Sequence, residues 1–385
     1  MSTPSGQNPT HAIGPASYEN FRAFNAGLPH LAIAEVNLYS DVDFTGEVWP
    51  AVGPVALLNP IRKDSGRVGA SLVLRCSLHE EQTYPRNWSS KSDLTRFTGS
   101  SLFDELACLL SLQYGSRLLA GSAVRWFDGR DPLGRPRADT DAPNLYLSTR
   151  SGSSLLPWVS QPKQIGSGLL PLLGALAPCQ ALTLIRAARS YRDALWIADE
   201  DPQLAWLLFV SAAETVAVHV AVPTEQSAET TLREAAPAVA EAIEAFGPSA
   251  LSKVAPQLAH LFKSTARFLS FFQRYQPPPP ERRPPEGYRF QPWEGGLRTA
   301  LSAVYDWRSK ALHAGIPFPP PMCEAPYFVR DDWEAPCETV PGLAAMTQGG
   351  VWTRDQMPFG LHLFEYLVRT SLLAWWASVS TPPVT

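Results

Sequence analysis

From about residue 156 onward the chain is dominated by apolar residues at helical spacing, broken into separate lengths by proline and glycine. The pattern predicts six helices, at 180–197, 202–222, 230–245, 249–275, 295–314 and 358–379. Lengths of this kind hide their apolar faces by packing on one another, so the second half is expected to be a helical bundle. The breaks have physical causes. Asp201-Pro202 supplies an N-cap and a first-turn proline, Gly247-Pro248 separates two lengths, and Gly315-Ile316-Pro317 stops another. Residues 276–292, with Pro277 to Pro280 in a row, predict an extended, solvated loop. Residues 204–222 come nearest to a membrane span, but Glu214 and His219 interrupt them, so a buried helix is expected and no membrane contact.

The first 155 residues read differently. Short apolar stretches at 32–61 and 68–78, cut by Gly, Pro and Asp, predict strands, with Lys63-Asp64-Ser65-Gly66 as a hairpin loop. Residues 101–114 predict a helix capped by Ser100 or Ser101 and ended by Gly115, 117–127 another strand, and 129–142 a loop. The fold class is therefore α+β: a mixed N-terminal domain at 1–155, then an all-α bundle at 156–385, the boundary falling in a Ser/Gly/Pro-rich connector. A chain of 385 residues is long for one core, which favours two units.

A net charge of -4 means that any nucleic-acid contact must come from a local basic patch. The five cysteines are scattered and odd in number, with no C-x-x-C, which argues against a disulfide framework or a structural zinc site. With a polar start that lacks a secretory pattern, this composition suits the cytoplasm. The signatures of nucleotide-binding loops, serine hydrolases and zinc peptidases are missing, and no cofactor or metal is expected. Asp199, Glu200 and Asp201 form an acidic trio, read here as favouring the start of the helix at 202.

One segment can carry chemistry: residues 304–315 place Arg308 and His313 in an R-x4-H spacing at the end of a predicted helix. The string Tyr305-x-x-Arg308-Ser309-x-x-x-His313-x-Gly315 resembles the final motif of Apea-like members of the HEPN superfamily, helical bundles that include metal-independent ribonucleases. Asp201-Pro202 leading into a helix with Ala213-Glu214, then Lys263-Ser264-Thr265-Ala266-Arg267-Phe268, then the proline-rich loop, follow in the order such domains show. The resemblance covers roughly 180–385. It implies an endoribonuclease, a phage-defence or toxin-like effector, with RNA as substrate, a homodimer pairing two Arg–His sets in one cleft, and an N-terminal domain that senses a phage or host trigger.

The side chains suit that chemistry. Histidine titrates near neutral pH, so His313 can take a proton from a ribose 2′-hydroxyl or give one to the leaving 5′-oxygen. The end of a helix favours cations, which suits the acid role better. Arg308 presents a planar fork to phosphate oxygens. Tyr305, Ser309 and Lys310 are candidate helpers, Lys310 for a phosphate and Ser309 for orienting the imidazole or substrate. Glu214, in a helix apolar on nearly every side, needs a partner; it pairs with Arg308, reaches the surface, or pairs with Arg186 or Arg189. On the predicted helix at 249–275, His260, Lys263, Arg267 and Arg274 mark one side, either a stripe for RNA phosphates or a solvated face. A non-catalytic dimerisation module that pairs two N-terminal domains is the competing reading; in it Arg308 and His313 simply complement the helix dipole.

Overall fold

The computed structural model describes residues 14–49, 53–59, 68–79, 94, 97–128, 131–143, 153–220, 227–247, 249–330, 334–340, 342, 344–347 and 349–380. The hairpin loop expected at Lys63–Gly66 lies outside them.

Strand β1 (Ala32–Ser40) is the centre of the main sheet because every second residue is buried: Ala34, Val36 and Leu38 face the core, while Glu35, Asn37 and Tyr39 face away. It pairs antiparallel with β4 (Gly69–Leu78) and with β5 (Leu119–Asp128). β3 (Val55–Leu58) adds beyond β4, and the two-residue β6 (Arg135–Pro136) beyond β5. The incomplete alternation of residues 69–75 has a cause: Leu38 pairs with Leu72 but Tyr39 with Ala70, so Ser71 is an extra, bulged residue. Its hydroxyl donates to the Ser40 carbonyl at 3.2 Å.

Helix α1 (Ala16–Asn25) was not foreseen, because its buried side mixes Tyr18 and Phe21 with Ser17, Glu19 and Asn20. Asn20 explains the docking: it donates to the Ser77 carbonyl at 2.9 Å and accepts from the His79 amide at 2.8 Å, closing the end of β4. Helix α2 (Leu102–Tyr114) starts as expected at Ser101, which forms a reciprocal capping box with Asp104, and ends at Gly115 in the left-handed conformation.

The helices of the second half are α3 (Pro178–Ile197), α4 (Pro202–Ala217), α5 (Ala228–Ala235), α6 (Pro237–Glu244), α7 (Ala250–Arg274), α8 (Trp293–Ala314) and α9 (Leu361–Ser380). The single helix expected at 230–245 is two, because Ala236 before Pro237 leaves the helical region at φ -148°. The helix expected to reach 222 ends at Ala217. The second half is also not purely helical: a hairpin, β8 (Ala344–Thr347) with β9 (Gly350–Thr353), precedes α9, and in the connector β7 (Lys163–Gln164) pairs in parallel with β2 (Phe44–Thr45). The proline-rich loop is largely exposed, as expected, and is also anchored, with Arg283 holding Glu338 through two bonds of 2.7 and 2.6 Å and Phe290 buried.

The core does not divide at the connector. One continuous set of buried side chains runs from Val36 and Leu74 of the sheet through Leu106 and Leu109 of α2 into α3, α4 and α9. Helix α2 is buried on nearly every side because the sheet covers one face while α3 and α9 cover the others. Trp206 of α4 stacks on Phe318 at 5.3 Å and on Phe364 at 4.8 Å, which brings the chain after α8 back onto the bundle. The acidic trio is split in role: Asp201 caps α4 at Leu204, and Asp199 is buried against Arg117. A smaller cluster of Leu232, Ala240, Leu251 and Ala255 joins α5 and α6 to the start of α7.

Among the described residues, no helix is long and apolar enough to cross a membrane, and no group of three or more His, Cys, Asp or Glu could hold a metal ion. All five cysteines are free.

Candidate functional site

Helix α4 is buried against its neighbours through Trp206, Phe209, Val210, Ala213 and Val216. Glu214 is its one carboxylate, and it faces α8. Its Oε2 accepts from Arg308 Nη2 at 2.7 Å, and its Oε1 accepts from the Tyr305 hydroxyl at 2.7 Å. Of the partners considered, Glu214 therefore takes Arg308; Arg186 bonds the carbonyls of Leu94 and Phe97, and Arg189 pairs with Asp193 at 3.8 Å. The Arg308 guanidinium also lies over the Tyr305 ring, 5.4 Å from its centre. Burial first, then the hydrogen bond to Glu214, push the Tyr305 phenol up to about 12, so it stays a donor across the working range.

The result is a triangle of one carboxylate, one phenol and one guanidinium, with Glu214 and Arg308 about one-fifth exposed at their side chains. A charge-assisted bond of this type contributes about 1.5–3 kcal/mol. Both oxygens of Glu214 are engaged, so the direction of Arg308 is fixed from the neighbouring helix. One nitrogen of the fork is committed to Glu214, while Nε and Nη1 have no acceptor among the described residues.

His313 sits in the last turn of α8, exposed, before Gly315 closes the helix with φ +65°. Five residues at 100° each place it about 140° around the helix from Arg308 and roughly 7.5 Å along it, so one chain presents the two groups on different faces. Flanking His313 are the exposed Leu312 and Ile316. The Lys310 side chain is 41% exposed: its ammonium pairs with Asp306 at 2.6 Å and lies 4.4 Å from the centre of the Trp307 ring. Ser309 is half-buried on the same turn, with no hydrogen bond among the described residues.

The basic side of α7 is partly visible. Phe268, Leu269 and Phe272 are buried, as an inward face requires. Arg267 is half-buried, and Arg274 lies over the Tyr275 ring at 5.6 Å. The side chains of His260 and Lys263 lie outside those described.

A second set of buried polar groups, on α9, escaped the sequence reading. Glu365 accepts from the Tyr191 hydroxyl of α3. Arg369 donates to the carbonyls of Leu112 at 3.0 Å and Gln113 at 2.6 Å, satisfying the end of α2. The available signal was the one that singled out Glu214: His362, Glu365 and Arg369 interrupt an otherwise apolar helix at steps of three and four.

Burial pushes the His362 imidazole down from 6.5 to about 4, opposed by a hydrogen bond to the Cys337 backbone. As pH falls, the unfolded chain takes up this proton first, so the stability held above pH 6.5 is lost toward pH 4. Between pH 7 and 4.5 the natural protein should lose ~2–3 kcal/mol more than a His362→Gln variant, measured by urea unfolding. Equal losses would show that the ring is not held neutral.

No family model, curated protein or solved structure matches this chain.

Proposed function

We propose that the chain is a metal-independent endoribonuclease of HEPN type, in which Arg308 and His313 act on the RNA phosphodiester, within a phage-defence or toxin-like effector of a reducing cytoplasm. The observation that carries this reading is the Glu214 carboxylate. It emerges from the buried helix α4 with Tyr305 and Arg308 as its partners, and so fixes the direction of the Arg308 cation about one turn and a half before a helix end that presents His313 to solvent.

In the reaction, a ribose 2′-oxygen loses its proton, bonds to phosphorus, and displaces the 5′-oxygen, which takes up a proton. The products are a 2′,3′-cyclic phosphate and a 5′-hydroxyl. Arg308 stabilises the charge on the non-bridging oxygens, and His313 transfers a proton. The separation of the two groups around α8 calls for a second copy, so that an Arg308 from one protomer and a His313 from the other meet across a two-fold axis. The exposed Leu312 and Ile316 supply apolar surface where such a contact would form.

The alternative is a non-catalytic dimerisation module. It is favoured by the carboxylates that already neutralise two of the motif's cations, Glu214 on Arg308 and Asp306 on Lys310. Incubating the protein with total cellular RNA and short labelled RNAs in EDTA separates the two readings. Cleavage that survives chelation is the expected result, and intact RNA under every condition would leave the dimerisation module.

A further inference from the structure

A cavity of about 400 Å³ opens between the connector that carries β7 and the C-terminal helix α9. That volume falls within the range of small-molecule sites. Lys163 of β7 and Glu365 and Arg369 of α9 line it, while Arg282 of the proline-rich loop stands on its rim.

The hydrogen-bonding groups of this wall are only partly used. Lys163 Nζ donates to the Trp158 carbonyl at 2.8 Å, leaving two of an ammonium's three N–H groups over. Arg369 spends Nε and Nη2 on the end of α2, and Nη1 has no acceptor among the described residues. Arg282 is exposed and has no partner among them. Of the acceptors, Glu365 uses Oε1 for Tyr191, and no donor among the described residues reaches Oε2. His362, 6% exposed, lines the same wall with an Nε2 that is buried and unpartnered.

Charge points the same way. Glu338 is taken by Arg283, so three cations (Lys163, Arg282 and Arg369) stand against Glu365 inside and Glu281 at the rim. Burial and the neighbouring Arg369 push the Lys163 ammonium down, and burial pushes the Glu365 carboxyl up. Each group lacks solvation that a bound partner would restore.

We propose that this cavity binds a small hydroxyl-bearing organic phosphate, its phosphate oxygens received by Lys163, Arg282 and Arg369 and one hydroxyl donating to Glu365. A doubly charged anion answers the excess of cations better than a singly charged one. A hydroxyl supplies the donor that the open carboxylate oxygen lacks, and the volume leaves room for a sugar-sized body beside the phosphate. Arg308 and His313 do not line this cavity, so the proposal stands apart from the ribonuclease reading.

Isothermal titration of the full chain with ribose 5-phosphate, glycerol 3-phosphate, ribose and inorganic phosphate tests it. At least one of the two organic phosphates should bind about tenfold or more tightly than inorganic phosphate, with ribose not binding. Arg282→Ala, on an exposed loop and expected to melt like the natural protein, should weaken that binding by about threefold to tenfold, and Lys163→Met by more. Glu365→Gln should narrow the preference over inorganic phosphate. Failure of both organic phosphates to bind would overturn the proposal, as would affinity unchanged in both Arg282→Ala and Lys163→Met.

Discussion

Replacing His313 by alanine is expected to slow RNA cleavage on the order of 100-fold or more while the protein melts at an unchanged temperature. The ring is exposed and makes no hydrogen bond among the described residues, so its loss leaves no buried group unpaired. Arg308→Ala should cost a similar factor, but with a fall in stability, because Glu214 then keeps only the Tyr305 hydroxyl. That contrast separates chemistry from structure: a catalytic histidine changes rate without stability. Cleavage at the natural rate in His313→Ala would remove the proposed acid–base residue. A lowered melting temperature with no RNA cut by either protein would favour the dimerisation module.

The second large effect belongs to the junction between the two halves. Arg117, 1% exposed, donates through Nε to the Leu195 carbonyl at 2.8 Å, through Nη1 to Asp41 and Ser160 at 2.9 Å each, and through Nη2 to Asp199 at 2.9 Å. It thereby ties the strand side, the connector and the end of α3 to one guanidinium. Arg117→Ala leaves two nearly buried carboxylates without their cation and should cost ~3–5 kcal/mol in urea unfolding. Because the core is continuous, the loss should appear in one transition that takes sheet and bundle together. A loss below about 1 kcal/mol, well short of the value for a broken buried pair, would mean that this network is not a shared support.

The parts that were legible in the sequence are those with local causes. Ser101 and Asp104 mark the start of α2, Asp201 and Pro202 that of α4, and Gly315 the end of α8, because caps and left-handed glycines act within a few residues. The Glu214–Arg308 contact was also reachable, since a carboxylate in an apolar helix must find a cation. What stayed hidden depends on neighbours distant in the chain. Burial of α1 rests on Asn20 meeting the end of β4, and anchoring of the proline-rich loop on Glu338, 55 residues beyond Arg283. The expected separation near residue 156 rested on composition, and composition does not show that Leu155, Leu156 and Val159 of the connector are themselves core residues. Likewise the Lys310–Asp306 pair, one turn apart on α8, was not singled out in the sequence.

The most direct test of the central claim is the chemistry of the cut ends. End-labelled RNA is incubated with the full chain in EDTA, alongside His313→Ala and Arg308→Ala, and the new termini are identified. The account predicts 2′,3′-cyclic phosphate and 5′-hydroxyl ends from the natural protein, strongly reduced in both variants. Cuts bearing 3′-hydroxyl and 5′-phosphate ends, or cuts that persist unchanged in both variants, would contradict it.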